Sequence, residues 1–170
     1  MRKDIRIEVQ PTRIIKREGP DAFESDCAAI ICSSYASRFD VYKKYDNWLV
    51  MSFDDVEDKN YYNAFKPEHA EMIKNYVDGL DESVHKLYLL TDRAVSRGQA
   101  IKAALYLYQL GKNSDLPVWQ SPDNYPNTHV FKILCKTFGI RFAGLKTRYR
   151  KRIKKSSFDS KLRGPYRIQK

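Results

Sequence analysis

Two hydrophobic periods alternate along this chain. Ile5, Ile7 and Val9 are separated by polar residues, a period of two that predicts a half-exposed edge strand closed by Pro11. Cys27 to Cys32 is a continuous apolar run, the pattern of a strand covered on both faces. Residues 33–46 are polar and irregular. A second apolar run, Trp48 to Phe53, is stopped by the acidic stretch Asp54-Asp55-Val56-Glu57-Asp58. Pro67 suits the first position of a helix, Glu68 and Glu71 complement its dipole, and Gly79 offers an end. Ala70, Ile73, Val77 and Leu80 give that helix one apolar face. Lys86 to Leu90 reads as a further strand, and a run of strong helix formers extends from Gly98 to a terminating Gly111. A Pro- and Asn-rich loop from Asn113 to Pro126 leads to a last helix capped by Asn127, with Val130, Ile133, Leu134 and Phe138 inward. Strands alternating with helices in this order predict an α/β fold: a central, mainly parallel sheet flanked by helices.

Composition narrows the class. The chain has 170 residues, 42% of them hydrophobic and 13% aromatic, enough for one packed domain. Mean hydropathy is −0.62, and no apolar run approaches the roughly 18 residues of a membrane span. With no signal-peptide pattern at the N-terminus, the expected setting is the cytoplasm. Cys27, Cys32 and Cys135 are an odd set without paired spacing, so they read as core thiols in a reducing compartment rather than a disulfide framework. His69, His85 and His129 are scattered; neither a metal site nor a cofactor is expected.

Charge divides the chain in two. Residues 141–170 hold twelve basic side chains and one acid, whereas residues 1–140 carry 19 basic and 20 acidic groups. The expected organisation is therefore an α/β domain over 1–140 and a basic C-terminal extension over 141–170. Within the extension, Lys146, Arg148, Arg150, Lys151, Arg152, Lys154 and Lys155 are interleaved with Tyr149, Phe158 and Tyr166. Such an arm can track a nucleic-acid backbone and stack on bases, dock on an acidic protein, or simply be solvated.

The loop between the Lys86–Leu90 strand and the following helix carries the candidate chemistry. In a parallel sheet, ligands bind beyond the carboxyl ends of strands, where helix N-termini present free N–H groups. Thr91-Asp92-Arg93-Ala94-Val95-Ser96-Arg97 lies there, with Gly98 following. Arg97 can fork onto an oxyanion there; the plain alternative is a connecting loop whose arginines face water.

That loop resembles the phosphate-binding loop of cysteine-dependent protein tyrosine and dual-specificity phosphatases. The small microbial branch is most similar, its loop reading His-Cys-Asp-Ala-Gly-Val-Ser-Arg-Ser before an Ala-rich helix. Phe53-Asp54-Asp55-Val56 resembles the branch's Phe-Asp-Asp-Ile segment, Pro67 to Val77 its preceding helix, and Tyr125-Pro126-Asn127 with Val130 its closing Pro-Asn motif. The resemblance spans roughly residues 25–140 and implies a tyrosine-phosphatase-like fold, with Asp54 or Asp55 in the place of the general acid.

The departures decide what activity to expect. Thr91 stands where the family has its nucleophilic cysteine, and Gly98 where it has the Ser or Thr that assists the thiolate's departure. Leu90 replaces the preceding histidine, and Ala94 the loop glycine. A thiol can be ionised by loop dipoles and a helix N-terminus, but a threonine hydroxyl cannot. Arg97 and Ser96 are retained, and Arg93 adds a cation where the branch has a small residue. The expectation is a pseudophosphatase that binds a phosphorylated or otherwise anionic partner through residues 91–98. The alternatives are a nucleic-acid or polyanion binder acting through the basic arm, and an active phosphatase with an unorthodox nucleophile.

Overall fold

The computed structural model describes residues 5–20, 23 and 26–149. Four strands, β1 (Arg6–Pro11), β2 (Cys27–Ser33), β3 (Trp48–Ser52) and β4 (Lys86–Thr91), form one sheet in the order β1-β4-β2-β3, with every neighbouring pair parallel. Helices α1 (Arg13–Glu18), α2 (Pro67–Asp78), α3 (Arg97–Leu110), α4 (Leu116–Gln120) and α5 (Thr128–Thr137) accompany them, with a 3-10 segment at Ala36–Lys44. The α/β class with a parallel sheet flanked by helices is as the hydrophobic pattern predicts. No described helix is long and apolar enough to cross a membrane.

Strand periodicity sorts the core into two layers. Ala28, Ile30 and Cys32 of β2 and Leu87 and Leu89 of β4 face α2, α3 and α5 in the larger cluster. Ala29, Ile31 and Leu90 face the other way, onto Ile15 of α1 and Ala36 and Phe39 of the 3-10 segment. The interior strands are thus apolar on both faces. Edge strand β1 exposes Arg6 and buries Ile7, with Ile5 buried just before it, as the alternation requires.

Four regions differ from the sequence expectation. The polar stretch 33–46 folds as the 3-10 segment around buried Phe39, and α1 is a one-and-a-half-turn helix anchored by Ile15 alone. The loop Asn113–Pro126 contains α4, started at Pro117 and holding Val118 and Trp119 in the core. The body also continues past residue 140. Phe142, Leu145 and Tyr149 pack against the main cluster, and residues 145–149 are helical.

Arg148 is the clearest correction to the basic-arm expectation. It is 1% exposed; its Nε and Nη2 donate to the two carboxylate oxygens of buried Asp115 at 2.5 and 3.2 Å. Its Nη1 donates to the Ala143 carbonyl. A guanidinium so enclosed is spent on folding and is not free for a polyanion. Tyr149 is half-buried, its hydroxyl donating to the Pro126 carbonyl at 3.3 Å and its ring edge-on to Trp119. Lys146 is exposed, whereas Arg150, Lys151, Arg152, Lys154 and Lys155 lie outside the described residues.

Candidate functional site

The sheet topology creates one crevice at its carboxyl edge. β4 leads into α3 on the large-cluster face, while its neighbour β2 leads into the 3-10 segment on the opposite face. Adjacent strands whose following elements diverge to opposite faces leave an opening between them, the usual ligand position in open parallel sheets. Ser34, Asp55, Asp92, Arg93 and Arg97 line a shallow pocket of about 220 Å³ there. A larger hollow of about 400 Å³, between the end of α3 and residues 140–143, shares no lining residue with it.

Arg97 forms the floor. It is 2% exposed, and its guanidinium donates through Nη1 to the Phe53 carbonyl and through Nη2 to Asp92 Oδ2. It also sits over the Phe53 ring, 5.4 Å from the centroid. Nε is buried and donates to no described residue. Arg93, by contrast, is exposed at the mouth.

Asp92 connects the loop to two strand ends. Its carboxylate accepts from Ser33 Oγ at 2.9 and 3.1 Å, from the Ser34 amide at 3.2 Å and from Thr12 Oγ1 at 3.3 Å, besides Arg97. Partial burial by itself raises a carboxyl pKa, but the Ser33 and Ser34 donors and the Arg97 charge outweigh it and hold Asp92 below its usual value.

The two candidate acids are placed differently. Asp54 donates its backbone N–H to the Asn63 carbonyl at 2.8 Å and does not line the pocket. Asp55 lines it, and its carboxylate accepts from Ser96 Oγ at 2.9 Å, Asn127 Nδ2 at 2.8 Å and the Arg97 amide at 3.4 Å. It therefore neutralises the N-terminal end of α3. Asn127 serves two elements: it also caps α5, accepting from the amides of His129 and Val130. The loop is braced from outside by the Tyr125 amide, which donates to the Val95 carbonyl at 2.7 Å.

Thr91 is sealed. It is fully buried, and its hydroxyl donates back to the Arg93 carbonyl at 2.9 Å. Gly98 packs directly on it: a Cβ there would lie 2.6 Å from Val9 Cγ1, 3.0 Å from Thr91 Cγ2 and 3.1 Å from Thr91 Oγ1. Glycine early in a helix costs roughly 0.5–1 kcal/mol relative to alanine, so its presence reflects this close approach of α3 to β1 and β4.

One thiol lies beside Thr91. Cys32 is its register partner on β2, but it is completely buried, and burial pushes its pKa up to about 12, only partly offset by the charge of Arg97. A thiol held so far from ionisation is no nucleophile at neutral pH. Cys27 and Cys135 are likewise buried, and neither is in a disulfide. No cluster of metal-ligating side chains occurs among the described residues.

Most of the sequence-derived site residues come together: Asp92, Arg93 and Arg97 line the pocket, Ser96 holds Asp55, and Thr91 and Gly98 pack beneath them. Sequence reasoning missed Ser33, Ser34 and Thr12, polar residues at strand ends whose importance depends on which strands are neighbours. The serines immediately follow the apolar β2 run, the one signal available for them. Compared with known protein families, curated proteins and solved structures, the chain matches none.

Proposed function

We propose that this chain is a catalytically impaired, phosphatase-like protein that holds a phosphorylated or otherwise anionic partner over the loop 91–97 without turning it over. The observation that carries this reading is the state of Thr91: a buried side chain whose hydroxyl is committed to the Arg93 carbonyl, beneath a pocket that Arg93 and Arg97 line. Covalent catalysis needs a nucleophile that can reach substrate and be activated by a base or a lowered pKa. Thr91 reaches nothing outside, and neighbouring Cys32 is held protonated. Anion binding needs a preorganised donor set, and Arg97 is fixed in place with its Nε uncommitted. Three buried cysteines with no disulfide among them support a reducing, cytoplasmic setting.

Purified protein incubated with an aryl phosphate from acid to neutral pH is expected to show no turnover above background. Turnover that disappears in Arg97→Ala would overturn the non-catalytic reading. A titration with inorganic phosphate tests the binding half: saturable binding that Arg97→Ala abolishes is expected, and no binding at millimolar phosphate would refute it.

A further inference from the structure

Both anion-recognising elements of the loop are already held by the chain's own carboxylates. Asp92 sits on the Arg97 guanidinium, and Asp55 sits at the first amide of α3. The pocket therefore contains two acids and two arginines, and its charge is internally balanced. The two acids differ in how they are tied. Asp55 is held by Ser96, Asn127 and the Arg97 amide, all on the helical side of the crevice. Asp92 has, apart from Arg97, three donors on the sheet side: the hydroxyls of Thr12 and Ser33 and the amide of Ser34.

We infer that Asp92 is a displaceable internal ligand: its carboxylate occupies the Arg97 position in the free protein, and an external oxyanion binds by taking its place on the guanidinium. This rests on the anion-binding reading above and adds how the site is gated and what it selects. Displacement leaves no buried charge stranded, because Asp92 keeps its sheet-side donors and is about one-third exposed. A buried carboxylate without such donors would resist exchange, since an unpaired buried charge is costly. The arriving ligand gains the Nη2 donor that Asp92 gives up and the Arg93 charge at the mouth.

The exchange sets ligand chemistry. An external monocarboxylate offers Arg97 no more than Asp92 already does. A dianionic tetrahedral oxyanion brings more charge and more acceptor oxygens, so it can outcompete the resident carboxylate. Asp92 thereby selects for dianions such as a phosphate monoester, whether carried by a macromolecule or free, and excludes carboxylates that are abundant in any cell.

The test is a titration of the full chain with orthophosphate and, separately, acetate, at constant ionic strength, followed by calorimetry and by amide chemical shifts of residues 91–98. Wild type, Asp92→Asn and Arg97→Ala are compared. Asp92→Asn removes the competing charge and keeps one oxygen, which can still accept from Ser33 and Thr12, while the Ser34 amide loses its acceptor. It is expected to bind orthophosphate at least tenfold more tightly than wild type and to acquire acetate binding that wild type lacks. Arg97→Ala is expected to bind neither. If wild type binds phosphate and Asp92→Asn binds it no more tightly, displacement is wrong while anion binding stands. If neither wild type nor Asp92→Asn binds, the anion-binding reading falls and this one with it. Should Asp92→Asn fail to fold, Asp92→Ser, read by the shift in melting temperature on adding phosphate, makes the same comparison, and a shift no larger than wild type's overturns the proposal.

Discussion

Replacing Arg148 with methionine tests whether the segment after residue 140 is part of the folded body. Arg148 and Asp115 are both completely buried at their side chains, with both carboxylate oxygens served by the guanidinium. The guanidinium also lies over the rings of Phe142 and Phe131, 5.1 and 5.8 Å from their centroids. Methionine restores part of that apolar packing but leaves Asp115 as an uncompensated buried charge. Breaking such a pair from one side costs about 3–5 kcal/mol. For a chain of this size about 1 kcal/mol moves the melting temperature by about 2–4 °C, so a fall of roughly 6–20 °C is expected. The Lys74–Asp78 pair, an i,i+4 contact on the solvent side of α2, is the control: Lys74→Met should lower the melting temperature only slightly. A second variant separates the pair from the packing. Arg148→Met combined with Asp115→Leu removes both charges and should recover most of the loss, because desolvation offsets much of a buried pair's attraction. Calorimetric melting of the three variants decides the matter. A fall for Arg148→Met no larger than that for Lys74→Met would refute the buried-pair reasoning and return Arg148 to the solvated arm.

Two further outcomes follow from the site's electrostatics. Cys32 and Cys135 both carry thiols pushed up to about 12 by burial, so native protein should resist alkylation by iodoacetamide at pH 8 and label fully once unfolded; rapid native labelling of Cys32 would contradict its enclosure. Asp92 has a folded pKa below its unfolded value, about 3.9 for an ordinary aspartate. Its contribution to stability is therefore fully present well above that value and is lost as pH falls through the lower, folded one. Asp92→Asn should accordingly flatten the acid limb of the stability–pH curve below about pH 4, and an unchanged acid limb in urea titrations would show that the carboxylate is not held as described.

How much of this was legible depended on length and on partners. The four strands were readable because a period of two or a continuous apolar run declares both strand and burial in five or six residues. α2 carried Pro67 at its start and an apolar face at helical spacing, and α5 carried its Asn127 cap. Helices α1 and α4 have six and five residues, too few turns for a period to show, so their burial of Ile15 and Trp119 came only with the fold. The reading of Arg148 failed for a different reason. A basic run signals charge but not its partner, and Asp115 lies 33 residues away in a stretch that reads as loop. The strand-to-helix pattern placed a turn between β4 and α3, although Thr91 closes the strand and Arg97 opens the helix; Asp92 on Arg97 depends on Ser33 and Thr12 meeting it across three parallel strands, which no local pattern encodes.

The same distinction governs any attempt to build phosphatase chemistry into the loop. By the resemblance to the phosphatase loop, Thr91→Cys with Gly98→Ser would supply the two groups that the family carries there. By structure, the pair is insufficient, because Gly98 is a packing requirement. The new Cβ would lie 2.6 Å from Val9 Cγ1, closer than side chains tolerate, and 3.0 Å from Thr91 Cγ2. Thr91→Cys removes Cγ2 but puts the larger Sγ where Oγ1 stood, 3.1 Å from the new Cβ; the contact with Val9 belongs to β1 and remains. Overpacking of this kind costs about 1–3 kcal/mol, and here it pushes the first turn of α3, and with it Arg97, away from the loop it must face. The expected order of melting temperatures is therefore Thr91→Cys near wild type, Thr91→Cys/Gly98→Ser well below it, and the triple variant with Val9→Ala intermediate. Any aryl-phosphate turnover should emerge only in the triple variant. If the double variant melts as wild type does, α3 is not seated on Val9 as described, and glycine at position 98 needs another explanation.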